Sequence, residues 1–350
     1  MDAIVLVGGQ GSRLRPLTET TPKPMLPVAG VPFLTHLLLR ARDAGVDHVV
    51  LSTSYKAEVF EAHFGDGSAL GIDLEYVQET DPLGTGGGIR NVVSSLRAAP
   101  ADPVVIFNGD VLSGHDIAGQ IEAHVTSGAA VTLHLTEVDD PRRFGIVPTD
   151  ADGRVTAFLE KSENPVTNRI NAGCYVFRRD VIDLIPAGRP VSVERETFPA
   201  LLEGDAMVRA WAESAYWLDL GTPESFLQGS CDLVRGAVSS PAIPVTGPAL
   251  VLGGSSVAAD AVLTGGTTVG SGAAVGAGAV LDGSVLFDGV TVGAGASLTG
   301  CIVGRDAVIG AGAVLAGVVV GDGARVGSGV ELQKPARVWT GAVLPDGAVR

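Results

Sequence analysis

The chain has 350 residues, enough to bury a sizeable core and to form about two domains. Its formal net charge of -15 argues against a nucleic-acid binder or a protein that binds anionic membranes. The chain has three scattered cysteines without metal-ligand spacing, Cys174, Cys231 and Cys301. This usage predicts a protein of the reducing cytoplasm. No basic segment precedes the first apolar run, and no run reaches the ~20 residues of a membrane span, so neither a signal peptide nor a membrane segment is expected.

The first element is a short apolar run, AIVLV at residues 3–7, which predicts a strand buried on both faces of a parallel sheet. The sequence GGQGS follows at residues 8–12, and glycines at a strand end let backbone N–H groups face a phosphate. Arg13 comes next, and Lys23 lies between two prolines that stiffen its backbone. The pattern predicts a phosphate-binding loop with cations around it.

Two common phosphate-binding motifs do not fit this loop. A Walker A loop requires Gly-x-x-x-x-Gly-Lys-Ser/Thr, and no lysine follows these glycines. The dinucleotide fingerprint requires Gly-x-Gly-x-x-Gly, and Leu14 occupies the position of its last glycine. The loop is therefore of another type.

Strand-like and helix-like segments alternate over residues 1–236 and predict a doubly wound α/β domain with a mixed sheet. Over residues 144–177, short runs between turn residues predict an antiparallel extension that covers a ligand. Thr85 is predicted to cap a helix, and Thr222 with Pro223 predicts another helix start. The predicted helices are 33–44, 57–64, 85–96, 117–125, 193–202 and one from 222; the predicted strands are 3–7, 49–51, 72–77, 104–107, 131–138, 155–159, 170–177 and 208–211.

A seventeen-residue repeat begins at residue 267, after a proline- and serine-rich linker assigned to residues 237–249. Apolar residues stand six apart within each unit and five apart between units, a spacing that neither a helix nor an exposed strand produces. It predicts a hexapeptide-repeat, left-handed parallel β-helix over residues 250–350. The repeated apolar positions are Val269, Val275, Leu281, Leu286, Val292, Leu298, Val303, Ile309, Leu315, Val320, Val326 and Leu332.

Two aspartates are candidate metal ligands because open α/β sheets bind ligands at strand ends. Asp110 follows the predicted strand 104–107, and Asp219 lies in the sequence WLDLGT before a helix start. Mg²⁺ takes one or two carboxylates together with water and substrate phosphates. Taken singly, either residue is equally well explained as a turn or helix-entry aspartate.

The pattern Gly-Gly-x-Gly-Ser-Arg-Leu-x-Pro-Leu-Thr followed by Pro-Lys-Pro resembles the signature of the sugar-1-phosphate nucleotidylyltransferases. Three further sequences, PLGTGGG, INAGCY and VSVERETFP, together with the repeats, are most similar to the bacterial mannose-1-phosphate guanylyltransferases. The resemblance implies a Rossmann-like nucleotidyltransferase domain. It also implies GTP and mannose 1-phosphate as substrates, Mg²⁺ as cofactor, GDP-mannose and pyrophosphate as products, and a homo-oligomer.

The resemblance assigns roles to single residues. Arg13 would hold the leaving pyrophosphate, and Lys23 and Lys161 would align the sugar phosphate. The implied catalytic set is Arg13, Lys23, Asp110, Lys161 and Asp219, of which Asp110 and Asp219 bind the metal ion. The implied nucleotide-binding set is Leu6, Gly8, Gly9, Gly11, Ser12, Arg13, Glu79, Pro82, Gly84, Thr85 and Asn108, and the sugar-phosphate set is Lys23, Gly145, Glu160, Lys161 and Asn171.

Glu79 is predicted to recognise guanine, because pyrimidine-selecting relatives resemble one another in carrying Gln at this position. An ionised carboxylate only accepts hydrogen bonds. Guanine offers two adjacent donors, N1–H and the exocyclic amine, whereas uracil and thymine offer one donor between acceptors. A surface glutamate without such a role is the simpler alternative.

Of three other functions, the sequence disfavours two and leaves one open. An acyltransferase β-helix would need a histidine base, and every histidine precedes residue 135. A non-catalytic sensor of nucleotide-sugars could dispense with several of the charged residues that this chain retains. The same chemistry with dTTP and glucose 1-phosphate, or with UTP and an amino-sugar phosphate, stays open.

Overall fold

The computed structural model describes residues 1–54, 56–243 and 245–348. Residue 244 of the predicted linker and residues 349–350 of the predicted β-helix domain lie outside the described residues. The chain divides into two compact units. The first comprises Met1–Gly9 with Leu37–Trp217, and the second comprises Gln10–His36 with the chain from Leu218 onward. The domain boundaries proposed at residues 236 and 250 stay a prediction.

The part of the chain before the repeats alternates strands and helices, as expected. Its strands are β1 (Asp2–Leu6), β2 (Pro27–Val28), β3 (Val31–Pro32), β4 (His48–Thr53), β5 (Asp73–Gln78), β6 (Pro103–Asn108), β7 (Val111–Ser113), β8 (Val131–Glu137), β9 (Gly145–Ile146), β10 (Leu159–Glu160), β11 (Arg169–Arg178), β12 (Val208–Ala212) and β13 (Trp217–Asp219). Its helices are α1 (Phe33–Asp43), α2 (Ala57–Phe64), α3 (Gly84–Asn91), α4 (Ile117–Ser127), α5 (Arg179–Ile182), α6 (Phe198–Glu203) and α7 (Pro223–Arg235). None of these described helices has the length and apolarity needed to cross a bilayer.

The first unit is built on a mixed sheet in the order β10-β9-β11-β6-β1-β4-β5, with β8 paired to β11 and β12 paired to β8. The central strand β1 runs parallel to β4 and β6. These strands are continuous apolar runs, so residues such as Ile4, Val50 and Ile106 are buried in one core. The predicted mixed sheet is confirmed.

The antiparallel extension is also confirmed. The strand β11 runs antiparallel to β6, β8 and β9, and β9 pairs antiparallel with β10. Two element bounds differ from the prediction: the strand expected at 155–159 is reduced to β10, and the helix expected at 193–202 begins as a π-helical turn, Val193–Thr197, before α6.

Thr85 lies inside α3, so the prediction that it caps the helix is wrong. Its Oγ1 donates a hydrogen bond to Oε2 of Glu194 at 2.9 Å and accepts one from the backbone N–H of Val193 at 2.9 Å. The helix also ends earlier than expected, at Asn91, and Val93–Ser95 forms a separate 3-10 turn. The Thr85 hydroxyl therefore bonds to a distant segment of the chain and does not cap its own helix.

The repeats of the second unit form three parallel sheets, and the predicted β-helix is confirmed. Paired strands stand seventeen residues apart through the middle of the domain, as Val269 does from Leu286, and eighteen apart near both ends, as Val251 does from Val269 and Val320 from Val338. All twelve repeated apolar positions are buried. Glycine follows them where coils stack closely: a Cβ on Gly270 would lie 2.4 Å from the backbone of Phe287. The strands are β14 (Ala249–Val251), β15 (Ser256–Val257), β16 (Val262–Thr264), β17 (Thr267–Val269), β18 (Ala274–Val275), β19 (Val280–Asp282), β20 (Val285–Leu286), β21 (Thr291–Val292), β22 (Ser297–Thr299), β23 (Ile302–Val303), β24 (Val308–Ile309), β25 (Val314–Ala316), β26 (Val319–Val320), β27 (Arg325–Val326), β28 (Glu331–Gln333), β29 (Arg337–Val338) and β30 (Val343–Leu344).

Candidate active site

The candidate site residues fall in both units, and each group is described within its own unit. The first unit holds Leu6, Gly8, Gly9, Glu79, Pro82, Gly84, Thr85, Asn108, Asp110, Gly145, Glu160, Lys161 and Asn171. The second holds Gly11, Ser12, Arg13, Lys23 and Asp219.

Two strands of the first unit end side by side at the carboxyl edge of the sheet. Leu6 of β1 is in register with Asn108 of β6, and the backbone N–H of Gly109 donates to the Leu6 carbonyl at 2.9 Å. A Cβ on Gly109 would lie 2.6 Å from that carbonyl oxygen, so glycine is required there. The first glycines of the phosphate loop and the half-buried Asp110 therefore leave the sheet at one edge.

A hydrogen-bonded group on β11 adjoins this edge. Asn171 donates through Nδ2 to the hydroxyl of Tyr175 at 2.8 Å and accepts through Oδ1 from the N–H of Gly173 at 3.1 Å. Gly173 has φ of 79°, and a Cβ there would lie 3.0 Å from Nδ2 of Asn108. Burial raises the pKa of Tyr175 well above its ordinary value, so its hydroxyl stays protonated. Asn108 and Asn171 are thus held in one region by β11.

Glu160 and Lys161 lie at the end of the short antiparallel pair. Glu160 is in register with Gly145, and a Cβ on Gly145 would be 3.2 Å from Oε2 of Glu160. The Lys161 Nζ stands 3.6 Å from Oε1 of Glu160, with the lysine side chain 60% exposed. Because the lysine is exposed and its ammonium is solvated, the contribution of the pair to stability is small. Its geometry leaves the ammonium accessible to a ligand anion.

Glu79 is anchored by the chain itself. Its Oε1 accepts a hydrogen bond from the hydroxyl of Ser52 at 3.2 Å, and its Oε2 accepts one from the N–H of Leu83 at 3.2 Å. A carboxylate has about four acceptor positions, so two further donors can still be accommodated. The orientation of the carboxylate is therefore set before any base binds.

The glycines of α3 are required by contacts within the first unit. The N–H groups of Gly86 and Gly87 donate to the Val191 carbonyl at 2.9 and 3.2 Å, and a Cβ on Gly84 would lie 2.7 Å from that oxygen. A Cβ on Gly88 would lie 2.7 Å from Oε1 of Glu79. The close approach inferred from sequence is made by the chain itself, and contact with a base stays a prediction.

In the second unit, residues 11–24 form a compact segment, called here the signature loop. It contains the 3-10 turns Ser12–Leu14 and Leu17–Glu19, and a third turn begins at Lys23. Gly11 has φ of 57°, its carbonyl accepts the Thr18 hydroxyl at 2.9 Å, and a Cβ there would meet Thr18 at 3.0 Å. Leu14 and Leu17 are buried, so the loop turns its apolar side chains away from solvent.

Three charged side chains of the second unit come together beside Gly221. A Cβ on Gly221 would lie 2.7 Å from Nη2 of Arg13 and 2.9 Å from Oδ1 of Asp219. The Lys23 Nζ stands 3.8 Å from the same Asp219 oxygen, and its side chain is only 12% exposed. Thr222 then starts α7 through a reciprocal capping box with Ser225. Asp219 lies before a helix start, as predicted from the sequence, whereas Gly221 was not singled out.

The chemistry of the donor set is compatible with a substrate-assisted magnesium site. Asp110 follows β6, Asp219 ends β13, and carboxylate oxygens are the ligands that Mg²⁺ prefers. Within the described residues, no group of three or more His, Cys, Asp or Glu side chains is arranged to hold a metal ion. Mg²⁺ needs only one or two carboxylates when phosphate and water supply its other ligands, so the chemistry of either aspartate suits this ion.

Buried histidines of the first unit are structural. The rings of His115 and His134 stack with centroids 3.9 Å apart. Burial, with a smaller contribution from the Arg40 guanidinium, lowers the pKa of His115 to about 3; burial, with smaller contributions from His115 and Arg40, lowers the pKa of His134 to about 2. Both rings are therefore neutral at pH 7.

Comparison with known proteins adds independent information. Residues 2–236 match the family described as Nucleotidyl transferase, and residues 245–349 match the GMPPB C-terminal domain. The chain belongs to the nucleotidyl transferase family. A mannose-1-phosphate guanylyltransferase of Mycobacterium tuberculosis is 60% identical over 352 residues, covering 100% of this chain and 97% of the relative. The mannose-1-phosphate guanylyltransferase catalytic subunit beta of Drosophila pseudoobscura pseudoobscura is 39% identical over 230 residues, covering 65% of this chain and 61% of that protein.

Solved structures share the fold of this nucleotidyl transferase. HddC of Yersinia pseudotuberculosis complexed with GMP-PN has a TM-score of 0.56 at 30% identity, covering 65% of this chain and 97% of HddC. A putative glucose-1-phosphate thymidylyltransferase of Bacillus anthracis has a TM-score of 0.60 at 22% identity, covering 66% of this chain and 94% of that chain. The second likeness concerns the fold alone. The predicted nucleotidyltransferase fold is confirmed.

Gly221→Ala is expected to lower nucleotidyl transfer by about tenfold to a hundredfold, because the new methyl group displaces the Arg13 guanidinium and the Asp219 carboxylate. Both contacts are ends of flexible side chains, so the melting temperature should stay within about 2 °C. Gly253→Ala is the matched control, since a Cβ there meets nothing within 4 Å. Equal rates of pyrophosphate release for the two variants would contradict this account of the site.

Proposed function

We propose that this chain transfers the guanylyl group of GTP to mannose 1-phosphate, forming GDP-mannose and pyrophosphate. The observation that carries the proposal is the 60% identity, over the full chain, with a relative named mannose-1-phosphate guanylyltransferase. The nucleotide complex of HddC is a second, weaker support. The arrangement of cations beside Gly221 suits the same reaction, because a triphosphate carries several negative charges.

The proposed reaction is an in-line displacement at phosphorus. A phosphate oxygen of mannose 1-phosphate attacks the α-phosphorus of GTP, the bond to the β-phosphate oxygen breaks, and pyrophosphate leaves with the electron pair. The nucleophile is ionised at neutral pH, so the chain needs no catalytic base. The rate enhancement then comes from positioning and from neutralisation of charge.

Roles follow for the charged side chains. Arg13 neutralises charge on the leaving pyrophosphate, and the glycine N–H groups of residues 8–11 hold the triphosphate. Lys23 and Lys161 hold the phosphate of the sugar, while Glu160, Asn171 and the Gly145 backbone contact sugar hydroxyls. Leu6, Ser12, Pro82, Gly84, Thr85 and Asn108 complete the proposed nucleotide contacts around Glu79.

Mg²⁺ is the proposed cofactor, held by Asp110 and Asp219. When bound, the ion supplies positive charge to the phosphate oxygens. The support for this role is the chemistry of the two side chains, because Mg²⁺ prefers carboxylate oxygens and completes its shell with phosphate and water. Assembly as a homo-oligomer and a cytoplasmic location stay predictions.

A matrix of nucleoside triphosphates against sugar 1-phosphates tests the proposed function. GTP with mannose 1-phosphate should give the highest kcat/KM, with pyrophosphate and GDP-mannose formed in equal amounts. A higher kcat/KM for dTTP or UTP with another sugar phosphate would support nucleotidyl transfer but contradict GTP and mannose 1-phosphate as the substrates. Binding of GDP-mannose without turnover of any pair would favour the sensor instead.

Asp219→Asn is expected to raise the Mg²⁺ concentration needed for half-maximal activity and to lower kcat by about 10²–10³. The substitution keeps the shape of the side chain and removes the charge that attracts the ion. Asp205→Asn is the control, because Asp205 is exposed and its φ of 55° suits asparagine equally well. A Mg²⁺ requirement identical in Asp219→Asn and Asp205→Asn would remove Asp219 from the proposed metal site.

Glu79→Gln should reduce the preference for GTP over dTTP and UTP by about tenfold to a hundredfold, because one of the two carboxylate oxygens that could accept guanine N–H groups is replaced by an NH₂ donor. Ser52→Ala removes the hydroxyl that donates to Glu79 and keeps the charge. The Ser52→Ala variant should have a lower kcat/KM for GTP but an unchanged ratio of kcat/KM values between GTP and the pyrimidine nucleotides. Exposed Glu58→Gln serves as the charge-matched control. The guanine-reading role fails if the ratio of kcat/KM values is unchanged in Glu79→Gln.

A further inference from the structure

Two residues of the β-helix make hydrogen bonds to the signature loop within the second unit. The Thr20 hydroxyl donates to Oδ2 of Asp322 at 2.6 Å, across 302 positions of the sequence. The Arg337 guanidinium donates through Nη1 to the carbonyl oxygen of Arg15. The end of the β-helix therefore contacts the loop that carries Arg13 and Lys23.

Asp322 has a function in the β-helix that related aspartates share. Its Oδ1 accepts the N–H of Arg305 in the preceding coil at 2.8 Å. Asp288 accepts the N–H of Ser271 at 2.8 Å, and Asp346 accepts the N–H of Ser328 at 2.7 Å. Asp288 and Asp346 are exposed, whereas Asp322 is half-buried. In Asp322, Oδ1 thus accepts a hydrogen bond from the β-helix, and Oδ2 accepts one from the signature loop.

The loop depends on such contacts because it contains only single 3-10 turns, without a ladder of helical or sheet hydrogen bonds along its length. Arg15 lies two positions after Arg13, and Thr20 lies three positions before Lys23. Holding a short irregular segment in one conformation costs backbone entropy that nearby fixed partners offset. The two β-helix contacts are placed between the two cations.

We propose that Asp322 and Arg337 are positioning residues for nucleotidyl transfer, acting through Thr20 and the Arg15 carbonyl on the placement of Arg13 and Lys23. The proposal rests on the proposed function for its kinetic consequence, and on the loop contacts alone for its structural one. The β-helix then contributes directly to the catalytic loop, beyond any part in assembly.

Kinetics of two matched variants test the proposal. Asp322→Ala and Asp288→Ala each remove one bond to a backbone N–H of the preceding coil, and only the first also removes the acceptor for Thr20. Asp322→Ala should lower kcat/KM for GTP by about threefold to tenfold relative to Asp288→Ala, the range for losing one ordinary hydrogen bond that is exposed to solvent. Equal kcat/KM values for the two variants would overturn the positioning role.

Thr20→Val tests the same contact from the loop and leaves the β-helix unaltered. If Asp322 acts through Thr20, the double variant Asp322→Ala with Thr20→Val should be no slower than the slower single variant. Multiplied losses in the double variant would instead show that the two residues act separately. Arg337→Lys should retain more activity than Arg337→Ala, because an ammonium can still donate to the Arg15 carbonyl.

Amide hydrogen exchange gives a readout that needs no substrate. Peptides covering residues 10–26 should exchange faster in Asp322→Ala and in Thr20→Val than in the unaltered chain or in Asp288→Ala. Peptides from coils before residue 300 should be unchanged in Asp322→Ala. If the wild-type chain transferred no nucleotidyl group, the proposed function would fail, while exchange over residues 10–26 would still decide whether Asp322 fixes the loop. Unchanged exchange in both loop-contact variants would overturn the inference.

Discussion

The close packing of Arg13 and Asp219 against Gly221, with Lys23 beside Asp219, is the constraint on which the proposed chemistry depends. The chain carries a net charge of -15 and so repels a triphosphate at long range. Salt screens that repulsion beyond about 10 Å, whereas contacts between a phosphate and nearby cations are screened much less. Binding of an anion is therefore decided by a few side chains, and their placement requires a residue without Cβ at position 221.

Much of the architecture could be predicted because periodic patterns encode it locally. The six-residue spacing of Val269, Val275 and Leu281 places one apolar side chain on each of the three strands of a coil, and these side chains are buried as expected. The central parallel strands β1, β4 and β6 were predictable for a similar reason, since each has a continuous apolar stretch that is buried. Thr222 with Pro223 marked the start of α7 correctly, because an N-cap depends on residues within one turn.

Contacts between distant segments could not be predicted from spacing. Thr85 has the chemistry of a helix cap, yet its hydroxyl bonds to Glu194 and Val193, more than a hundred positions away. The glycines of α3 were correctly associated with a close approach, but the approaching group within the chain is the Val191 backbone. Thr20 and Asp322 carry no signal of their pairing, because a threonine in a loop and an aspartate in a repeat are both common.

The repeat architecture explains how a structural aspartate can gain a second task. Where a coil carries such an aspartate, as at Asp288, Asp322 and Asp346, one carboxylate oxygen accepts the N–H of the preceding coil and the second oxygen is available to another partner. Which coil meets the loop is set by the number of residues between β14 and Asp322. One additional coil would preserve the apolar period and the core, yet it would shift the aspartate by about 4.8 Å, the spacing of adjacent strands. That shift exceeds the range of a hydrogen bond, so the bond between Thr20 and Asp322 can form only with the number of coils that this chain has.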